Sequence, residues 1–213
     1  MAQKTNALGF RLQINKKWKS RWYNRGVTYV DLLHQDLKIR HYLEKELRTA
    51  GVLEVDIERT GEGVTINLHV IKPGLVIGKG GVRIQGLKNE IMELLGKTKL
   101  HLNVQQANRA DLTARLLAEE IAQQLERRVP YKQAISRVVT KTMESKHSAG
   151  VKVTVSGRLT GARIARTEKK SAGKVPLQNI TADIDYAQVS AQTKYGTIGI
   201  KVWLNRKPEE QYA

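Results

Sequence analysis

Lys72-Pro73-Gly74-Leu75-Val76-Ile77-Gly78-Lys79-Gly80-Gly81 joins two kinds of sequence pattern. Proline and glycine stop the extended run before it, and Leu75, Val76 and Ile77 make one short apolar turn. After the glycines, Ile84, Leu87, Ile91, Leu94 and Leu95 recur at helical spacing until Gly96. Before the stretch, Leu53, Val55 and Ile57 alternate with Glu54, Asp56 and Glu58. Past the Gly61-Glu62-Gly63 turn, Val64, Ile66, Leu68 and Val70 alternate with Thr65, Asn67 and His69. That pair reads as a hairpin. Residues 28–48 read as a helix capped by Thr28, with Leu32, Ile39, Leu43 and Leu47 on one face, closed by Gly51. Leu100, Leu102 and Val104 mark a third strand. The order is therefore helix, strand, strand, short helix, glycine loop, helix, strand.

A phosphate-binding P-loop needs four residues between its glycines and Ser or Thr after the lysine. Here three residues separate Gly74 from Gly78, and Gly80 follows Lys79. A dinucleotide fingerprint needs glycine where Arg83 stands. A G-x-x-G loop between two helices has another use. Without a β-carbon in the way, a nucleic-acid backbone can approach closely, and the amides at the start of the next helix favour phosphate. This is how a KH domain clamps about four nucleotides. The expected contacts are Lys72, Gly78, Lys79, Gly80, Gly81 and Arg83.

A linker around Gln105–Asp111 leads to a second domain. Residues 112–128 read as a helix with Leu117, Ile121 and Leu125 on one side. Pro130 starts another, with Ile135, Val138, Val139 and Thr142 inward, ended by Gly150. Val151, Val153 and Val155 mark a strand. Residues 158–182 read as basic and irregular with a strand near Ile164. Residues 184–189 and 198–203 read as a hairpin around Tyr195-Gly196, with Trp203 in the core. The fold class is α+β: two α/β domains, the second with two helices on a mostly antiparallel sheet.

The 213 residues carry 37 Lys and Arg against 20 Asp and Glu, a formal charge of +17. Such excess points to a polyanion, nucleic acid before an anionic membrane surface. It is unevenly placed. Residues 1–30 hold seven cations and no carboxylate: Lys4, Arg11, Lys16, Lys17, Lys19, Arg21 and Arg25. Trp18, Trp22 and Tyr23 among them suit stacking on bases or packing on a partner. Residues 151–182 hold seven cations against Glu168 alone. There, Arg158, Arg163, Arg166, Lys169, Lys170 and Lys174 are the expected grip on RNA. No cysteine is present, which excludes disulfides, cysteine-bound zinc, iron–sulfur clusters and thiol nucleophiles. His34, His41, His69, His101 and His147 stand apart from metal-ligand spacing, and Asp183 and Asp185 fit hairpin ion pairs better than a catalytic pair. No cofactor, metal or catalytic residue is expected, and no stretch is long and apolar enough to span a membrane.

Beyond these readings, the chain closely resembles the bacterial-type third-protein family of the small ribosomal subunit. The resemblance rests on Gln3-Lys4 with Asn6 and Arg11-Leu12, on 72–81, on Gln124-Leu-Glu-Arg-Arg-Val129 and on Val155-Ser-Gly-Arg-Leu159. It rests also on Ala162-Arg-Ile-Ala-Arg-Thr-Glu168, Lys174-Val-Pro-Leu177, Ala182-Asp-Ile-Asp-Tyr186 and Tyr195-Gly-Thr-Ile-Gly-Ile-Lys-Val-Trp203. It implies a type II KH domain over 28–106, a C-terminal α/β domain over 107–213 and a basic RNA-binding arm over 1–27. It implies a non-enzymatic constituent of the small subunit, in the cytoplasm with an organellar ribosome as the alternative, that is not a homo-oligomer. Its partners would be small-subunit ribosomal RNA, neighbouring small-subunit proteins and messenger RNA, whose inward path Arg127, Arg128, Lys132 and Arg137 would line. The family often has two adjacent basic residues after the aromatic and another three positions on. Here Gln133 and Ser136 replace two of them, and the aromatic often found after Glu168 is Lys169. A free KH regulator and an enzyme acting on nucleic acid are the competing readings.

Overall fold

The computed structural model describes residues 4–47, 50–61, 63–96, 99–106, 113–145 and 147–207. These form two compact units, residues 18–106 in one and residues 4–17 with 113–207 in the other.

The first unit runs β1 (Ser20–Arg21), α1 (Val27–Glu46), β2 (Val52–Arg59), β3 (Gly63–Val70), α2 (Pro73–Ile77), α3 (Val82–Leu95) and β4 (Lys99–Gln106). Its sheet has the order β1-β2-β3-β4. β2 and β3 are antiparallel, with Ile57 opposite Ile66, while β4 runs parallel to β3, with Leu102 beside Ile66. A parallel neighbour needs a crossover, and α2 with α3 supplies it. Strand alternation sends Val55, Ile57, Val64, Ile66 and Leu68 to one face, where Ile39 and Leu43 of α1 and Leu87 and Ile91 of α3 cover them. Truncating a residue as buried as Ile91 costs about 2–5 kcal/mol. Leu32 and Leu94, expected inward, are not in this core; Leu94 lies exposed.

Thr28 does not cap α1. Gly26 precedes the helix at φ +78°, and the Thr28 hydroxyl donates to the Arg25 carbonyl. The middle of α1 is fixed from the side instead. Trp22 Nε1 donates to Asp36 Oδ2 at 2.8 Å, and Arg59 Nη2 donates to Asp36 Oδ1 at 2.6 Å. Asp36 is almost fully buried, so removing Arg59 would strand its charge, and removing Trp22 would leave one of its oxygens short of a donor. Trp22 is thus a structural residue, while Trp18 and Tyr23 stay exposed.

The second unit contains α4 (Ala114–Glu126), α5 (Tyr131–Glu144), β5 (Ser148–Gly157), β6 (Arg166–Gly173), β7 (Ile184–Thr193) and β8 (Gly196–Arg206). The sheet order is β6-β5-β8-β7, antiparallel throughout. Leu117, Ile121, Ile135 and Val138 pack on Val151, Val153, Val155, Ile200 and Val202. The Thr113 side chain accepts from Leu116 N, and Asp185 Oδ2 accepts from Ala114 N at 2.8 Å, capping α4. Asp183 pairs with Lys16 at 2.5 Å and Asp185 with Arg206 at 3.6 Å, so both serve ion pairs.

Three local expectations change. α5 stops at Glu144, and Gly150 lies within β5, where a β-carbon would meet the Lys174 backbone at 2.5 Å. The basic segment holds a full strand that begins at Arg166, leaving Ile164 exposed before it. Trp203 is only half-buried and lies tilted against Tyr186. Most of the Gln105–Asp111 linker lies outside the described residues.

Candidate nucleic-acid interface

The glycine loop has the geometry that its sequence asks for. Gly78, Gly80 and Gly81 have φ of +73°, +60° and +77°, a region that side chains disfavour. At Gly78 a β-carbon would stand 2.7 Å from Arg83 Cβ, so the residue is also required by space. At Gly80 nothing among the described residues lies within 4 Å of where a β-carbon would be. The missing side chain there makes room on the outside of the protein, not inside it. Lys79 and Lys72 are exposed beside it. Arg83 is exposed but donates through Nη2 to the Glu46 carbonyl at 3.3 Å, so it also ties α3 to the end of α1.

The stretch 1–27, expected as one arm, is divided between the two units in its described part. Arg11 is fully buried, which excludes it from direct RNA contact as the structure stands. Its guanidinium donates to Ala7, Leu177, Asn179 and Ala182 carbonyls at 2.6–3.2 Å. Burial pushes its pKa down and Asp183 opposes that. Arg11 therefore clasps residues 4–17 to the loop before β7. Lys16 pairs with Asp183, Lys19 with Glu54 at 3.5 Å and Arg21 with Glu58 at 2.9 Å. Lys4 and Lys17 are exposed.

In the second unit Arg158 donates to the Ala162 and Tyr195 carbonyls, shaping the loop after β5. Arg163, Arg166, Lys169, Lys170 and Lys174 are exposed. Lys169 and Lys170 take opposite faces of β6: Lys170 donates to Ser136 Oγ of α5 at 2.7 Å, and Lys169 sits beside Thr154. Arg127, Arg128, Lys132 and Arg137 are exposed around the α4–α5 turn. Arg128 has φ +64° and precedes α5, so it does not share a helical face with Lys132 at i and i+4.

Sequence reasoning passed over Arg40, Arg59, Lys152 and Lys201. Arg40 holds β1 in place through Lys19 O and Ser20 Oγ. Lys152 and Lys201 join Lys169 on the outer face of the second sheet. The signal was available, since both alternate with Val151, Val153, Ile200 and Val202, which are buried.

Residues 38–112 match the family model described as KH domain, and residues 121–204 match the one described as Ribosomal protein S3, C-terminal domain. The chain is 45% identical over 206 residues to the small ribosomal subunit protein uS3 of Bacillus thuringiensis (strain Al Hakam), across 97% of this chain and 93% of that protein. The proteins of the same name from Bacillus cereus (strain ZK / E33L) and Bacillus anthracis match to the same extent.

Proposed function

The chain belongs to the small ribosomal subunit protein uS3 family, and from that membership we propose that it is a structural, RNA-binding constituent of the small subunit. The observation that carries the reading is the glycine loop, open to solvent at Gly80 with Lys79 beside it. Phosphates of ribosomal RNA approach this backbone, and exposed lysines position the rest of the contact. Structured RNA is read by shape, so the protein needs placed cations more than base-specific side chains. Lys4, Lys17, Lys72, Lys79, Arg163, Arg166, Lys169 and Lys174 supply them. With roughly six phosphates neutralised, affinity falls about 10³-fold between 50 and 200 mM salt.

Messenger RNA passes the face formed by Arg127, Arg128, Lys132 and Arg137. Ser136 carries no charge where the family often has a basic residue, and Lys170 supports the reading from β6. Its ammonium donates to Ser136 Oγ, which in turn donates to the Lys132 carbonyl at 2.7 Å. A cation thus stands over position 136 although the residue is neutral. The chain works as one copy per particle, beside neighbouring small-subunit proteins, in the cytoplasm, without a catalytic step or cofactor.

Sedimentation of a lysate at moderate salt tests the assignment. The protein is expected with small subunits and whole ribosomes. A chain that stays at the top of the gradient overturns the ribosomal role in favour of a free RNA regulator. Lys79→Asp with Gly80→Asp, both at exposed positions, is expected to weaken binding of purified protein to small-subunit RNA by tenfold or more.

A further inference from the structure

The outer face of the second sheet carries residues in rows. Ser171, Lys152, Trp203 and Tyr186 lie side by side across β6, β5, β8 and β7, and Lys169, Thr154, Lys201 and Gln188 form the next row. The segment clasped by Arg11 crosses this face and leaves a cleft of about 600 Å³ against it. Lys4, Lys169 and Lys201 line the cleft together with the rings of Tyr186 and Trp203. Those rings have centroids 5.3 Å apart, and Lys152 Nζ lies 5.7 Å from the Trp203 ring centroid. Among the described residues no acidic side chain lines the cleft, and Lys152, Lys169 and Lys201 make no ion pair.

Like charges gathered without a carboxylate repel one another. Burial, then the Lys4 and Lys169 charges, push Lys152 below the usual lysine range. An anion relieves that repulsion. The two rings add a demand that a simple anion does not meet, a flat apolar group. The size lies within the usual range of small-molecule sites, roughly 300–1,000 Å³, and is too small for a duplex.

We infer that this cleft takes one unpaired RNA nucleotide, its base against Trp203 and Tyr186 and its phosphate on Lys169 and Lys201. An acidic peptide would use the lysines and leave the rings idle. A nucleotide uses both, as sheet faces that bear aromatics do in single-strand binders. The inference takes its choice of RNA from the function proposed above, but it needs nothing from the glycine loop.

The test uses the full chain and a short single-stranded RNA that carries 5-iodouridine. After irradiation, cross-linked peptides are mapped by mass spectrometry. A cross-link at Trp203 or Tyr186 that persists in the Lys79→Asp variant supports the inference. Lys169→Gln with Lys201→Gln, both exposed, is expected to weaken the oligonucleotide about tenfold without unfolding the chain. Trp203→Phe is expected to keep most of the affinity that Trp203→Leu loses. Cross-links confined to 78–81 overturn the inference and leave the RNA-binding function standing. Polyglutamate binding that depends on Lys169 and Lys201, with no cross-link at either ring, overturns it in favour of an acidic peptide. No binding of any RNA overturns both.

Discussion

Alanine at Gly78 and alanine at Gly80 separate what the loop does for the fold from what it does for a ligand. Gly78 has φ +73° and ψ 179°, a conformation essentially confined to glycine that costs another residue about 1–3 kcal/mol. Its new β-carbon would stand 2.7 Å from Arg83 Cβ, well inside the roughly 3.5–4.0 Å of carbon contact. Relieving that overlap costs about 1–3 kcal/mol more. The stiffer unfolded chain returns about 0.4–1 kcal/mol. The expected loss for Gly78→Ala is therefore about 3 kcal/mol. Gly80, at φ +60° and ψ 16°, carries only the left-handed penalty of about 1–2 kcal/mol, half of it offset in the unfolded chain. No atom of the described residues lies in the way of its methyl. Native-state hydrogen exchange at the Ile66 and Ile91 amides reads the opening of the KH unit alone. Gly78→Ala is expected to raise that opening about 100-fold and Gly80→Ala a few-fold. Affinity for small-subunit RNA should nevertheless fall about tenfold in Gly80→Ala, because its methyl occupies the space a phosphate needs. Wild-type affinity in that variant would refute the idea that the opening at Gly80 serves a ligand.

Three further outcomes follow from other parts of the chain. Arg11→Met removes all the donations that clasp residues 4–17, a loss of about 3 kcal/mol, and trypsin should cut at Lys16 and Lys17 much faster while α4 stays protected. Lys170→Gln should slow translation through a stable messenger hairpin, and adding Ser136→Lys should restore it; no effect of either change would remove Lys170 from the messenger path. Asp56 is held above the usual carboxylate range by burial and then by Glu54, against the pull of His69, Arg21 and Lys19. Its ionised form is therefore disfavoured in the fold, and the stability it contributes when protonated is lost as pH rises through its raised value. Asp56→Asn should stabilise the KH unit at pH 7, with the two unfolding curves converging once pH falls below the ordinary carboxylate value.

Elements of the fold with a strong period were legible before any coordinates. Strict alternation over 53–58 and 64–70 marked β2 and β3, and Ile135, Val138, Val139 and Thr142 all face the core from α5. The boundaries that shifted were set by tertiary contacts. Gly150 looked like a helix stop, but it is needed where β5 passes the Lys174 backbone. β6 had no apolar alternation to read because it is an edge strand whose lysines also guard it against pairing with another chain. The candidate site divided in the same way. A glycine loop announces itself locally, since three positive φ angles need three glycines. A cation does not announce its partner. Arg11 looked like any other residue of a basic arm, and only the carbonyls at 177, 179 and 182 make it a clasp.

Charge conservation carries that point one step further. Every ion pair removes one positive and one negative charge, so pairing cannot lower the net +17. It can only move the excess. The N-terminal stretch appeared to hold seven unopposed cations, yet Lys16, Lys19 and Arg21 are matched by Asp183, Glu54 and Glu58 from segments distant in sequence. Those carboxylates are then spent, and the cations of their own segments go without them. The excess reappears on lysines that form no ion pair among the described residues: Lys72 and Lys79 around the glycine loop, and Lys152, Lys169 and Lys201 on the outer sheet. A chain whose surplus charge was merely solubilising would leave it scattered among acids on the surface. Here the surplus lies beside the two features proposed above as RNA contacts, a backbone stripped of side chains and a pair of rings tilted against each other. Neutralising lysines at either place should therefore cut the salt dependence of RNA binding by about one unit of slope per lysine. Neutralising Lys16, Lys19 or Arg21 should instead change stability and leave the slope nearly as it was.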